Sequence, residues 1–175
     1  METQTKNVDF DALLNAGIIS SSNLSVSLNS NRGSQNLLFA NGEEVELFVK
    51  LNKMGYFYIV GYTQTKEGKI SYLLELGEGN TESKFTKFVN ADDASRWISL
   101  GAFIIEAPFG IESIQVIASN QKISSLPLAE YDEKSGYYII SKDINKALAT
   151  TRGLKKKVSD KVEMSEDVLS FTTVN

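Results

Sequence analysis

Apolar and polar residues alternate along much of residues 45–76, and two glycine-containing turns interrupt this pattern. In residues 45–51 every odd-numbered position is apolar, and the periodicity resumes in residues 56–63 and 70–76. A period of two places alternate side chains on one face of a β-strand, and tight turns join antiparallel neighbours. The segment therefore predicts a three-stranded antiparallel meander.

The rest of the chain extends this prediction. Further strands are predicted by apolar alternation at residues 23–28, 84–89, 101–107, 113–118 and within 161–174. Short helices are predicted by helical spacing at residues 9–16, 91–99 and 142–150. About eight strands with two or three short helices are typical of an antiparallel β-sandwich or a barrel-like sheet. We therefore expect an all-β fold.

A chain of 175 residues has room for one domain rather than two. Its first 40 residues differ from the rest, because a Ser/Asn/Gly-rich stretch follows the first predicted helix. We expect residues 1–40 to form an N-terminal extension, with a short helix and one possible strand. Residues 41–175 are expected to form a single β-rich domain.

The absence of cysteine and histidine excludes several kinds of site. Without cysteine there is no thiolate nucleophile, iron–sulfur cluster or Cys-ligated zinc. Without histidine there is no Ser-His-Asp triad, imidazole base or His-ligated metal. No phosphate-binding glycine loop occurs either. The sequence predicts no cofactor.

The charge balance argues against one class of partner. There are 18 Lys and Arg residues against 22 Asp and Glu, a net charge of −4, which disfavours general nucleic-acid binding. No run of roughly 18 or more apolar residues occurs, so no membrane span is predicted. The first seven residues are polar, and no signal peptide is predicted.

From about residue 40 onward, the chain resembles the bacterial domain-of-unknown-function 4384 family. The likeness is carried, in this order, by residues 45–50, 55–60, 104–119 and 151–153. Its most specific part joins Ala-Pro-Phe-Gly at residues 107–110 to Ile-Ala-Ser at 117–119. The chain departs from the family at residues 75–78, where a Pro-Asn pair is usual and Glu-Leu-Gly-Glu is found instead.

The resemblance implies an accessory module that is found joined to caspase-like peptidases, protein kinases or envelope lipoproteins. No catalytic residue is assigned to the family. We therefore expect a non-catalytic interaction module that binds or positions a protein partner or a neighbouring domain of the same chain. The resemblance implies a bacterial cell-envelope or periplasmic location, and the cytoplasm stays open because no signal peptide is predicted.

Three tyrosines, at positions 56, 58 and 62, are the first candidate site. Tyr56, Tyr58 and Tyr62 share one face of their predicted strand, with Tyr72 expected on a neighbouring strand. If this row is exposed, it could hold an apolar segment of a partner or stack on a sugar. Carbohydrate binding is therefore the second functional hypothesis. Alternatively this face is the core, because Tyr is common at half-buried strand positions.

Phe109 and one basic run complete the candidate partner-binding residues. Phe109 lies in a Pro-Phe-Gly turn, either as a core plug or as an exposed anchor. Arg152, Lys155 and Lys156 could contact an acidic partner or anionic headgroups, or they could form a solvated turn. A long open sheet edge would also favour pairing with a second copy of the chain.

Carboxylates cluster around Asp92, Asp93, Glu130 and Asp132, without the Asp-rich loop that Ca²⁺ requires. Helix capping by Asp93 and turn chemistry at Asp132 account for two of them. A hydrolase would need two acidic groups about 5 to 10 Å apart in one cleft. We predict no metal ligand and no catalytic residue.

Overall fold

The computed structural model describes residues 23–66, 68–77, 84–123, 126, 129–140 and 162–175. In chain order its strands are β1 (Val26–Ser30), β2 (Leu37–Ala40), β3 (Glu44–Leu51), β4 (Gly55–Thr65), β5 (Gly68–Leu73), β6 (Lys87–Val89), β7 (Ile98–Ile104), β8 (Ile111–Ser119), β9 (Ala129–Asp132), β10 (Tyr137–Ile140) and β11 (Met164–Val174). Only Lys84 and Phe85 are helical among these residues, and no complete helix lies within them. The all-β prediction is confirmed, with eleven strands where about eight were expected.

The strands form two sheets. The smaller sheet has the order β1-β3-β7 and is antiparallel throughout. The larger has the order β2-β11-β8-β4-β5-β10-β9. β6 joins the larger sheet by pairing with residues 55–57 of β4, whereas β5 pairs with residues 60–65 of the same strand. Only β2 and β11 among these described pairs run parallel.

The predicted alternation is confirmed in the smaller sheet. Val45, Leu47, Val49 and Leu51 of β3 are all buried, and the residues between them are exposed or half-buried. These side chains pack against the facing side of the larger sheet, including Phe57 and the neighbouring strand β8. The main hydrophobic core therefore lies between the two sheets.

The larger sheet also buries part of its other face. Tyr58, Val60 and Tyr62 of β4 form a second hydrophobic cluster with Phe85 and Ile117. The central strand β4 is consequently buried on both faces, which explains why apolar residues occupy nearly all of its positions instead of every second one.

The helix predicted for residues 91–99 is wrong. Asn90 Oδ1 accepts the Asp93 amide at 2.9 Å, a contact that also caps helices, but the chain then forms a turn. Ser95 has a φ of 63° and donates its amide to the Leu51 carbonyl at 2.6 Å. These features lead the chain into β7, and Trp97 stays exposed beneath the Lys50 ammonium. The predicted helices at 9–16 and 142–150 lie outside the described residues.

Residues 24–40, expected in the N-terminal extension, contribute strands to both sheets. β1 pairs with β3, and β2 pairs with β11. Leu24, Val26, Leu28, Leu37 and Phe39 all belong to the main core. This part of the chain is thus continuous with the β-rich domain.

In the part of the chain that the structure describes, no helix is both long and apolar enough to cross a membrane.

Candidate functional site

One side of the sandwich is closed by side chains of β11. β1 lies beside β11 and β8. Ser165 Oγ accepts the Val26 amide at 3.2 Å, and Asp167 Oδ2 accepts the Leu28 amide at 2.8 Å. These bonds occupy amides at the outer edge of β1, which another strand could otherwise use.

The outer edge of β2 is closed in a similar way. Arg32 Nη1 donates to the Leu38 carbonyl at 3.2 Å, and Glu43 Oε2 accepts the Ala40 amide at 2.6 Å. Arg32 and Glu43 also form an ion pair at 3.1 Å. Hydrogen bonding from Arg32 holds the pKa of the Glu43 carboxyl below its usual value.

The opposite side of the smaller sheet is open, because β7 is its last strand. Ile105 donates its amide to the Glu43 carbonyl at 2.9 Å, so the backbone groups of Ile105 point toward β3. Backbone groups alternate in direction along an antiparallel strand, so those of Ile104 and Ala102 point away from β3. No other strand of the described residues pairs with this edge, and the Ile104 side chain is 61% exposed.

Beside this edge lies a small recess between the two sheets. Its volume is about 150 Å³. It is lined by Leu73, Leu74, Glu75, Phe103, Gly136, Tyr137 and Tyr138. We call the space between β7 and the β5–β10 pair, with Phe103 on one side and Leu74 and Tyr137 on the other, the open seam.

A half-buried carboxylate lies on the inner face of the larger sheet. Thr63 Oγ1 donates to Glu112 Oε1 at 2.7 Å, and Tyr72 Oη donates to Glu112 Oε2 at 3.0 Å. Burial raises the pKa of Glu112 despite these two donors. Since both oxygens are already bound to hydroxyl groups, the arrangement holds Glu112 in one position.

The same carboxylate connects electrostatically to the open seam. Burial, then the charge of Glu112, raises the pKa of Tyr72 well above its usual value. Burial, then the charges of Glu112 and Glu106, also raises the pKa of Tyr137. The Tyr72 and Tyr137 rings are in contact, with centroids 4.8 Å apart. Two carboxylates thus act on the aromatic floor of the seam.

The structure divides the predicted tyrosine row. Tyr58 and Tyr62 are 0% and 3% exposed and belong to the second hydrophobic cluster. Tyr56 is half-buried and packs against the exposed Phe88, with ring centroids 4.8 Å apart. Of the three, only Tyr56 offers part of its ring to a partner.

Tyr72 does lie on a neighbouring strand, but not on the face of the tyrosine row. It pairs with Gly61, whose neighbours in β4 are Val60 and Tyr62. Directly opposite residues share a face, and adjacent residues in a strand do not. Tyr72 therefore belongs to the main core, and the four tyrosines do not form one platform.

The other predicted site residues do not meet the tyrosine row. Phe109 is half-buried and packs against the main core, as expected for a plug. Arg152, Lys155 and Lys156 lie outside the described residues. Asp132 Oδ2 accepts the Ser135 amide at 2.9 Å, which confirms its turn chemistry. Hydrogen bonding from the Ser135 side chain, then from this amide, lowers the Asp132 pKa. Within the described ranges, no three carboxylates are grouped so that they could hold a metal ion.

No pattern in the sequence indicates the residues of the open seam. Residues 101–107 were predicted as a strand, but the alternation does not distinguish an edge strand from an inner one. Tyr137 belongs to a strand that was not predicted. The turn residues at Asp132, followed by the aromatic residues Tyr137 and Tyr138, are typical of a hairpin, and this signal could have predicted the strand.

Comparison of the chain with family models, with curated proteins and with solved structures found no match. The resemblance to the domain-of-unknown-function 4384 family, and the envelope location that it implies, therefore stay predictions from the sequence.

Proposed function

We propose that this protein is a non-catalytic interaction module that binds another protein at the open seam. The observation that supports the proposal is the outer edge of β7. Ala102 and Ile104 direct their backbone groups away from β3, and the exposed Ile104 side chain lies beside them. A sheet edge with apolar neighbours is a recurrent binding surface for polypeptides.

The carbohydrate hypothesis has less support. It required an exposed row of tyrosines, and Tyr58 and Tyr62 are buried in the second cluster. Flat aromatic rings stack on sugars only where a face of the ring is accessible. The candidate binding surface is therefore the edge of β7 and not the tyrosine row.

Site-directed photo-crosslinking tests this function. We expect a benzophenone side chain at position 104 to capture a protein from an extract of the source organism. The matched control has the same group at Leu38, which is 57% exposed and lies next to the closed edge of β2. Capture at 104 should be lost in an Ala102→Pro background that keeps its melting temperature. Equal capture at both positions, or none at 104, would count against the proposal.

A further inference from the structure

The larger sheet extends beyond the smaller one on the side of the open seam. β1 lies beside β11 and β8, so β7 is on the other side of the smaller sheet. There Phe103 lies across the recess from Leu74 and Tyr137. Beyond β5 the larger sheet continues through β10 and β9. On this inner face Tyr137 is 42% exposed. A fourth strand on β7 would cover this uncovered floor, as sheets of a sandwich do.

The edge of β7 offers the backbone groups that such a strand needs. The amides and carbonyls of Ala102 and Ile104 point outward, two residues apart, which is the spacing of an antiparallel or parallel ladder. Nothing in the described residues corresponds to the Ser165 and Asp167 side chains that close β1. An incoming strand would therefore pair without displacing an existing bond.

Two carboxylates, Glu106 and Glu112, lie close enough to the open seam for their charges to act on Tyr137. Glu106 is exposed two residues beyond the end of β7, and Glu112 lies under Tyr72. Among the described residues the ion pairs are Arg32–Glu43, Lys53–Glu163 and Lys84–Glu75. None of these cations pairs with Glu106 or Glu112. Lys84 is further engaged by the Tyr138 hydroxyl at 2.7 Å.

We propose that the open seam binds an extended, basic segment of a partner protein. The segment pairs with β7 as a fourth strand of the smaller sheet and directs a lysine or arginine side chain toward Glu106 and Glu112. Opposite charge at a partly desolvated site gives both affinity and the direction in which the strand binds. This inference rests on the proposed function and specifies the chemistry of the partner.

Selection of peptides from a random decapeptide display library tests the inference. We expect the full chain to enrich sequences with alternating apolar residues and at least one lysine or arginine. A selected peptide is then labelled, and its affinity is measured by fluorescence anisotropy. Replacing its basic residue by glutamate should weaken binding by about tenfold or more. Methylating two alternate backbone nitrogens should weaken it by a similar factor, because each loses a ladder bond.

Variants of the protein locate the bound peptide. Glu106→Gln and Glu112→Gln should each weaken binding by roughly three- to tenfold, with a smaller salt dependence than in the wild type. Asp92→Asn removes the same charge from an exposed turn near the other end of β7, and should leave the affinity unchanged. Ala102→Pro should abolish binding. If Ala102→Pro does not fold, the methylated peptide tests the ladder without altering the protein.

Three outcomes of the peptide experiments would overturn the inference: no enriched peptide, enriched peptides without a basic residue, or affinity that backbone methylation leaves unchanged. The proposed function fails separately, when position 104 captures no protein. A captured partner whose crosslinked segment is acidic or helical would leave the proposed function standing and reject the basic strand. A second copy of this chain as the captured species would also reject it, and sedimentation would then show a dimer.

Discussion

At the scale of single residues, Gly61 determines where Tyr72 lies. A Cβ added at position 61 would overlap the Cζ, Cε2 and Oη atoms of Tyr72. The ring therefore occupies the space above the glycine, from where its hydroxyl reaches Glu112 at 3.0 Å. The sequence predicted the strand of Tyr72 correctly, but its face depends on the register of the β4–β5 hairpin, which alternation alone does not fix.

We expect Gly61→Ala to lower the free energy of unfolding by about 1–3 kcal/mol, because the buried ring must move to admit a methyl group. Urea denaturation measures the loss. In a Tyr72→Leu background, which removes the overlapping ring atoms, the same substitution should cost much less. An equal cost in both backgrounds would show that the overlap is not the cause.

Glu112 makes the stability depend on pH. Burial raises its pKa above that of the unfolded chain, so the folded protein keeps this proton over a pH range in which the unfolded chain has lost it. Stability from this group is therefore present at low pH and lost as the pH rises through the folded-state pKa, starting from about pH 4.

Comparison with Glu112→Gln isolates this effect. The difference in unfolding free energy, wild type minus variant, should fall as the pH rises from about 4, near the unfolded-state pKa, through the higher folded-state pKa. Glu43 and Asp132, whose pKa values are lowered, have the opposite pH dependence but are present in both proteins and cancel. A difference that stays constant or rises with pH would contradict the assignment.

At the scale of strands, β4 was predicted although both of its faces are buried and nearly all of its positions are apolar. Alternation predicted β1 and β3 because each has several residues of one period and a buried face. It did not predict β2, β9 and β10, which have four residues each and little room for a period. The helix at 91–99 was wrong because an Asn at the first position and an Asp three residues later also cap an isolated turn. The decisive contact, Ser95 to Leu51, is distant in sequence.

We expect Asp167→Ala to open the edge of β1. The variant leaves the Leu28 amide without its acceptor, which should cost about 1–3 kcal/mol of stability. Hydrogen exchange at Leu28 should accelerate by more than the loss of global stability accounts for. Ser165→Ala, which removes the longer bond to Val26, should have a smaller effect. Unchanged exchange at Leu28 would show that the carboxylate does not protect this edge.

At the scale of the whole molecule, the N-terminal strands belong to the core. Phe39 is fully buried and packs edge-on against Phe171, with ring centroids 5.4 Å apart. Phe39→Ala should therefore destabilise the protein by about 3–5 kcal/mol. The adjacent Leu38→Ala, at an exposed position, should change stability by less than about 0.5 kcal/mol. Thermal or urea unfolding distinguishes this from a separate extension, in which both variants would be nearly neutral.

The open seam could not be predicted from the sequence, because it depends on the topology of the sheet. Ala102 and Ile104 acquire their outward backbone groups only because β7 is the last strand of its sheet. That position follows from the pairing of β7 with β3, about 50 residues earlier in the chain, and no local pattern records it. The tyrosine row has the converse problem, because its aromatic residues suit both a core and a binding surface.

The side chains that close β1 also limit how many copies or partners can join through the smaller sheet. A sheet with two open edges can grow in both directions and form a filament. Here Ser165 and Asp167 already hold the amides of β1, so growth by strand addition is confined to β7. Through this sheet the molecule can therefore accept one added strand: it can end a series of molecules that pair strand to strand, but it cannot continue the series.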